Sequence, residues 1–273
     1  MGLLRLRSRA GVLRLVARDS RTGEAAGDLG LAAASEGRSA TVAIPFVDGP
    51  AWFKGEPLRG KAAWRHGVRS RLLRLHLPRV NEFHNLGWLA RRSFQVAPPL
   101  AAGVLFRAGL PRYQFLVTSE IRDARTLRQF LVDEEIGREE VLAELAREIG
   151  RMHAVGFVHR DLFPRNVLVL PPRRARGRIV FIDAWRGGPR SQLRGPAHDL
   201  GCLFLHGPEL LRGEEPALLF DAYVSARGAQ GRGVEARSLL RAVRRARRRL
   251  RRRLEDDPRR LGGAPLPPLE WSL

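Results

Sequence analysis

The sequence predicts an α+β chain in two parts: a β-rich half with one main helix, then a mostly helical half that carries a small hairpin. Three observations point there. Short apolar runs bounded by glycine and proline recur through residues 1–119. Among them, residues 67–91 set Val80, Phe83, Leu86 and Leu89 at intervals of three, the mark of one apolar helix face. Beyond Glu120 the pattern changes to a helical stripe followed by two strand-length runs. The parts are 1–119 and 120–240, with a basic helix over 235–260 and an irregular tail over 261–273.

The first 60 residues read as β structure. Val12 to Val16 is a weak strand; Thr41 to Val47 is a stronger one, with Pro45 pointing to a sheet edge because proline cannot donate to a ladder. Asp48-Gly49 supplies a tight turn, and Ala51 to Lys54 returns as the second arm. The main helix ends at Pro98-Pro99. Gly103 to Arg107 and Tyr113 to Thr118 form two strands joined by Gly109-Leu110-Pro111. Val141, Leu142, Leu145, Ile149 and Met152 then make an apolar stripe over 138–153. Val167 to Leu170 and Ile179 to Ile182 are strand-length runs separated by a loop rich in proline, arginine and glycine.

With 273 residues, 44% of them apolar, the chain can bury a core and is no disordered tract. Its formal charge of +21 implies an anionic partner and says nothing of fold. Of the 49 basic residues only Lys54 and Lys61 are lysine, a bias that also fits a GC-rich coding sequence. A lone cysteine, Cys202, excludes an internal disulfide and has the apolar neighbours of a buried thiol. The N-terminus has no apolar core of a secretion signal, and no run approaches a membrane span, so a cytoplasmic location is expected. Nine arginines between 241 and 253 accompany Leu239, Val243, Leu250 and Leu254 at helical spacing. Two roles are open for this amphipathic helix: adhesion to an anionic membrane surface, or packing of its leucine stripe on the second half.

The segment that carries chemistry is His159-Arg160-Asp161-Leu162-Phe163-Pro164-Arg165-Asn166. It lies between the long helix and the first strand-length run, and the second run ends at Asp183. Phosphoryl transfer needs mostly positioning and charge neutralisation. Asp161 would orient an attacking hydroxyl and accept its proton. Asn166 and Asp183 would supply the hard oxygens that Mg2+ prefers.

Here the sequence resembles the protein-kinase-like superfamily, whose catalytic loop H-R-D-x-x-x-x-N is matched by His159, Arg160, Asp161 and Asn166. The resemblance implies a two-lobed protein-kinase-like fold that binds ATP. Lys54 would hold the α- and β-phosphates and Glu82 would fix that lysine. Ser35-Glu36-Gly37-Arg38-Ser39 falls between two expected strands, where Gly37 and Arg38 would approach phosphate; a plain hairpin turn is the alternative. Thr118-Ser119-Glu120 stands at the adenine-binding hinge, and Asp199 begins a buried helix that braces the catalytic loop.

In detail the chain looks most like the lipopolysaccharide kinase family, the inner-core Kdo and heptose kinases. Gly37-Arg38 with Thr41 precedes the Trp-Phe-Lys strand, Glu82 opens Glu-Phe-His-Asn-Leu, and Met152 to Leu162 forms one block. Asp183 then leads through a short segment to Asp199-Leu200-Gly201. The family implies phosphorylation of a sugar hydroxyl on an anionic glycolipid at the cytoplasmic face of the inner membrane. A protein Ser/Thr kinase is the first rival, but Asp199 follows Asp183 by only 16 positions, with no A-P-E segment to dock peptide. A phosphotransferase for another small molecule is the second. A nucleic-acid-binding protein is the third, though no aromatic recognition motif accompanies the arginines, so no specific nucleic acid is expected.

Overall fold

Alternation of apolar residues builds the first half of the chain as a sheet with both faces covered. The computed structural model describes residues 2–8, 11–72, 76–134, 136–172, 177–189, 194–257 and 266–268. Contacts divide the chain into two compact units, Met1–Arg122 and Asp123–Leu273.

Unit one runs β1 (Gly2–Ser8), β2 (Gly11–Ala17), α1 (Ser20–Glu36), β3 (Ala40–Phe46), β4 (Gly49–Pro57), α2 (Gly60–Leu72), α3 (Pro78–Ala90), β5 (Pro99–Arg107) and β6 (Leu110–Ser119). Its six strands are ordered β1-β2-β5-β6-β4-β3, and every neighbouring pair is antiparallel. Pro45 lies on the edge strand β3, where a missing donor costs no ladder bond. Leu13, Leu15, Phe53 and Phe115 point to one face, where Ala26 of α1 joins their cluster. Val16, Ala102 and Leu116 point to the other, against Phe83 of α3. Period-two alternation therefore splits β4: Phe53 faces α1, while Lys54, paired with Leu116, lies on the face that α3 covers.

Helix α1 corrects the all-β expectation for this region. Its glycines hide it from propensity reasoning, but they are what lets it lie close on the sheet. A Cβ at Gly23 would come within 2.4 Å of Leu4 Cδ1, and one at Gly30 within 2.2 Å of the Phe115 ring. Asp19 caps the helix by accepting from the Thr22 amide at 2.8 Å. The expected strand-to-strand loop at 35–39 is corrected with it. Gly37 is the helix C-cap, at φ 63°, with its N–H on the Ala33 carbonyl. The single helix expected over 67–91 is two, because Pro78 cannot continue α2 and instead sits in the first turn of α3.

Unit two runs β7 (Arg125–Thr126), α4 (Leu127–Asp133), α5 (Arg138–Ala154), β8 (Phe157–Val158), β9 (Val167–Val169), β10 (Ile179–Phe181), β11 (Gly188–Pro189), α6 (Arg194–Leu203), α7 (Gly207–Leu210), α8 (Glu215–Ala229) and α9 (Ala236–Glu255). The stripe expected on α5 is buried throughout: Val141, Leu142, Leu145, Ile149 and Met152. Strands β9 and β10 form the small hairpin, with Val167 opposite Phe181. Asp199 lies inside α6 and does not open it, a correction to its expected place.

Helix α9 buries Leu239, Val243 and Leu250, so its leucine stripe packs inward. It meets α6 closely, since a Cβ on Gly201 would stand 2.9 Å from Ala246 Cβ. Of the expected tail only 266–268 is described; there Pro268 and Pro267 carbonyls accept from Arg247 at 2.7 Å and Arg251 at 2.6 Å. Cys202 is fully buried, and burial pushes its thiol far above the ordinary cysteine range. No helix among the described residues is long and apolar enough to cross a membrane.

Candidate active site

The sequence-singled residues fall into two groups, one in each unit. In unit one, Lys54 Nζ lies 3.3 Å from Glu82 Oε1. Glu82 is completely buried on α3, one residue before the core residue Phe83, and its other oxygen takes Arg79 Nη1 at 2.9 Å. A carboxylate out of water needs such partners; removing one from a buried pair costs about 3–5 kcal/mol. Arg79 Nε in turn stands 3.3 Å from Glu56, which accepts from Gln114 Nε2 at 3.0 Å. The outcome is a chain of alternating charge that presents one ammonium, Lys54, from the middle of β4. Arg79, Glu56 and Gln114 were not singled out from sequence. Arg79 is three residues before Glu82 on one helix face, and Glu56 is two after Lys54 on one strand face; that spacing was the available signal.

Gly37 and Arg38 are occupied by local structure. Arg59 Nη2 donates to the Gly37 carbonyl at 2.5 Å, the Tyr113 hydroxyl donates to the Arg38 carbonyl at 3.2 Å, and the Arg38 guanidinium pairs with Glu36 at 2.8 Å. Glu120 donates its N–H to the Pro50 carbonyl at 3.0 Å, which leaves its own carbonyl as the backbone group that could accept a hydrogen bond.

In unit two the loop after β8 is hung on one buried carboxylate. Asp199 is fully buried; its Oδ2 accepts from the His159 amide at 2.7 Å and its Oδ1 from the Arg160 amide at 2.6 Å. Oδ2 also takes His153 Nε2 at 3.1 Å, and the other ring nitrogen of His153 meets the Tyr223 hydroxyl at 2.8 Å. Burial alone would raise the Asp199 pKa, but the His153 hydrogen bond and charge and the His159 N–H outweigh it and hold the carboxyl low. Two amides pinned in succession let Arg160 sit at φ 63°, a left-handed conformation that costs a non-glycine residue about 1–3 kcal/mol.

The His159 ring points inward, with Nε2 donating to the Ile182 carbonyl at 3.0 Å; its Nδ1 is buried without a partner among the described residues. Burial depresses its pKa, against smaller opposing pulls from nearby carboxylates, so the ring is neutral. Asn166 ends a single 3-10 turn, Pro164–Asn166, and donates its side-chain amide to Asp161 twice, to the carbonyl at 2.8 Å and to Oδ2 at 3.1 Å. The Ile182 N–H donates to the Asn166 carbonyl at 3.1 Å, extending the β9–β10 register by one pair. Asp183 follows at once, at φ 60°. Backbone pairing thus sets Asp183 one residue beyond the partner of Asn166, whose side chain holds Asp161.

This donor set fits a small hard cation. The Asn166 nitrogen is committed to Asp161, so its Oδ1 is the end left to ligate, and Asp183 adds a carboxylate. Among the described residues no cluster of three or more His, Cys, Asp or Glu forms a complete metal cage. Two protein oxygens are what a site completed by phosphate oxygens and water would offer.

Residues 37–205, well over half the chain, match the lipopolysaccharide kinase (Kdo/WaaP) family. No curated protein matches. The solved structure of WaaP in complex with acyl carrier protein is 19% identical, with a TM-score of 0.56 over 89% of this chain and 98% of that one. A divergent kinase lacking the glycine-rich loop, which regulates membrane ultrastructure of the Toxoplasma parasitophorous vacuole, matches at 16% identity and a TM-score of 0.43, covering 80% of this chain and 83% of its own. The first likeness gives the two-part α+β kinase-like fold, and the family match gives the activity class: this chain is a phosphotransferase that belongs to the lipopolysaccharide kinase (Kdo/WaaP) family.

Proposed function

We propose that the protein transfers the γ-phosphoryl group of ATP to a sugar hydroxyl, of Kdo or heptose, in the lipopolysaccharide inner core. The observation that carries this reading is the Asp161–Asn166 pair on a loop whose preceding amides are both held by Asp199. Asp161 receives the proton of the acceptor hydroxyl as its oxygen bonds to phosphorus and the bond to the β-phosphate oxygen breaks, releasing ADP. Asn166 keeps the Asp161 carboxylate in one orientation by donating to it. Neutral His159 fixes the loop to the strand that ends at Asp183 through the Ile182 carbonyl. Mg2+ held by Asn166 and Asp183 would neutralise phosphate charge. Lys54, steadied by Glu82, is assigned the α- and β-phosphates, as a compact point charge that guanidinium would not replace. An acceptor of this kind is an anionic glycolipid, which places the work at the cytoplasmic face of an inner membrane.

The test is ATP turnover with Mg2+ for wild type and Asp161→Asn, with and without Kdo–lipid A or a heptosylated acceptor. Loss of a general base should lower acceptor-stimulated turnover by about 100-fold or more. Unchanged turnover in Asp161→Asn would remove that residue from the mechanism. Turnover that needs Asp161 but ignores both sugars would move the acceptor elsewhere.

A further inference from the structure

Helix α9 distributes its arginines unequally, and one exposed row of them borders a cleft. Arg247 and Arg251 are spent on the Pro268 and Pro267 carbonyls. Arg245, Arg249 and Arg253 follow each other at four-residue intervals and line one wall of a cleft of about 510 Å3. The opposite side carries Arg160 of the catalytic loop and His198 of α6, and Leu250 contributes to the apolar part of the lining. Among the described residues no lining residue is acidic. None of these four guanidiniums has a carboxylate partner among the described residues.

Four like charges around one recess repel each other, and an anion bound among them relieves that repulsion. The walls are closely packed. A Cβ on Gly195 would stand 2.4 Å from Val158, and Gly201 meets Ala246 as closely as a small residue permits. Phe163, on the catalytic loop, packs with Leu254 against Cys202, Leu205 and Leu250. Burial holds His198 low in pKa, and the charges of Arg160 and Arg253 add to that against the pull of Asp199.

We propose that this cleft between α6, α9 and Arg160 is a binding site for a phosphate group that the acceptor already carries and that is not itself transferred. A planar membrane leaflet cannot enter a recess, whereas a single phosphomonoester can, and planar guanidiniums match its oxygens two at a time. The assignment rests on the kinase reading only in making the acceptor the bearer of that group; the site itself is tested by binding. Because Arg160 is the residue before Asp161, a phosphate held here would fix how far along the acceptor the reacting hydroxyl lies.

The experiment is calorimetric titration of the full-length protein, saturated with ADP, with inorganic phosphate and with glucose 6-phosphate. Two variants lose the same charge: Arg245→Gln/Arg249→Gln/Arg253→Gln in the cleft and Arg241→Gln/Arg248→Gln/Arg252→Gln on α9 outside the cleft lining. The cleft variant should bind both ligands about tenfold or more weakly, and the control variant within about twofold of wild type. Should the cleft triple fail to fold by circular dichroism, Arg249→Gln alone should show the same direction. Absence of phosphate binding in wild type, or equal weakening in the two variants, overturns the site. So does a cleft variant that keeps phosphate affinity and loses only adhesion to phosphatidylglycerol vesicles, which would make the row a membrane surface. Cleft-specific binding with Asp161-independent turnover would leave the site standing and remove the catalytic reading.

Discussion

Asp199→Asn tests whether one buried carboxylate holds the loop that carries Asp161. The side chain accepts from two successive amides, His159 at 2.7 Å and Arg160 at 2.6 Å, and meets His153 Nε2 at 3.1 Å. Hydrogen bonds to an ionised acceptor contribute about 1.5–3 kcal/mol each. Asparagine keeps one acceptor oxygen and puts an NH2 where the other stood, so at least one buried donor faces another donor. The expected loss is about 3–5 kcal/mol, the range for stripping one partner from a buried charged group. Hydrogen exchange read by mass spectrometry on the peptide spanning 157–163 gives the local measure. A loss of about 3 kcal/mol corresponds to roughly a 100-fold fall in protection of the His159 and Arg160 amides. The pH dependence follows from the depressed pKa. The ionised form is favoured by folding, so the advantage over the variant is fully present above about pH 4 and shrinks as pH falls through the lower folded value. Unchanged protection, with unfolding free energy within about 1 kcal/mol of wild type, would refute the bracing role.

Gly30→Ala should destabilise unit one by about 1–3 kcal/mol in urea titration, since its Cβ would stand 2.2 Å from the Phe115 ring of the sheet beneath. An unchanged midpoint would mean that α1 does not need that close approach. His159, buried and held neutral, should make stability fall with acidification. The unfolded chain takes up a proton below about pH 6.5 and the folded chain does not, giving up to about 1.4 kcal/mol per pH unit. Unfolding measured between about pH 7.5 and about pH 5.5 should therefore converge for wild type and His159→Asn, and parallel slopes would contradict the neutral ring.

What could be read from sequence follows the locality of the chemistry. The loop from His159 to Asn166 was legible because its motif lies within eight consecutive residues, and the structure ties its Asp161 and Asn166 together with two hydrogen bonds. The Lys54–Glu82 approach was legible through the kinase resemblance, which implies a strand lysine met by a glutamate of the following helix, and the two lie 3.3 Å apart. Helix α1 was not, because Gly23, Gly27 and Gly30 lower helix propensity for the sake of contacts with strands distant in sequence. Gly37 was misplaced for the same reason: a glycine at positive φ reads alike in a hairpin turn and at a helix C-cap, and only recognition of the helix before it decides. Arg79 and Gln114 join Glu82 and Glu56 across as many as 58 residues, beyond any local pattern.

The arginine excess looks in composition like one property, and in structure it is several. Arg138, almost wholly buried, forks onto both oxygens of Glu215 at 2.7 Å and also donates to the Leu131 and Leu210 carbonyls, tying α4, α5, α7 and α8. That is a use only a planar five-donor cation can serve. Arg79 neutralises a buried glutamate, and Arg247 and Arg251 hold the segment at Pro267 and Pro268 against α9. Codon bias can supply arginine but cannot choose which of them meet carboxylates. Arg160 and the row on α9 meet none among the described residues, and they share one recess. Net charge announces an anionic partner of unspecified place; four guanidiniums gathered around one cleft give the proposed phosphate its place.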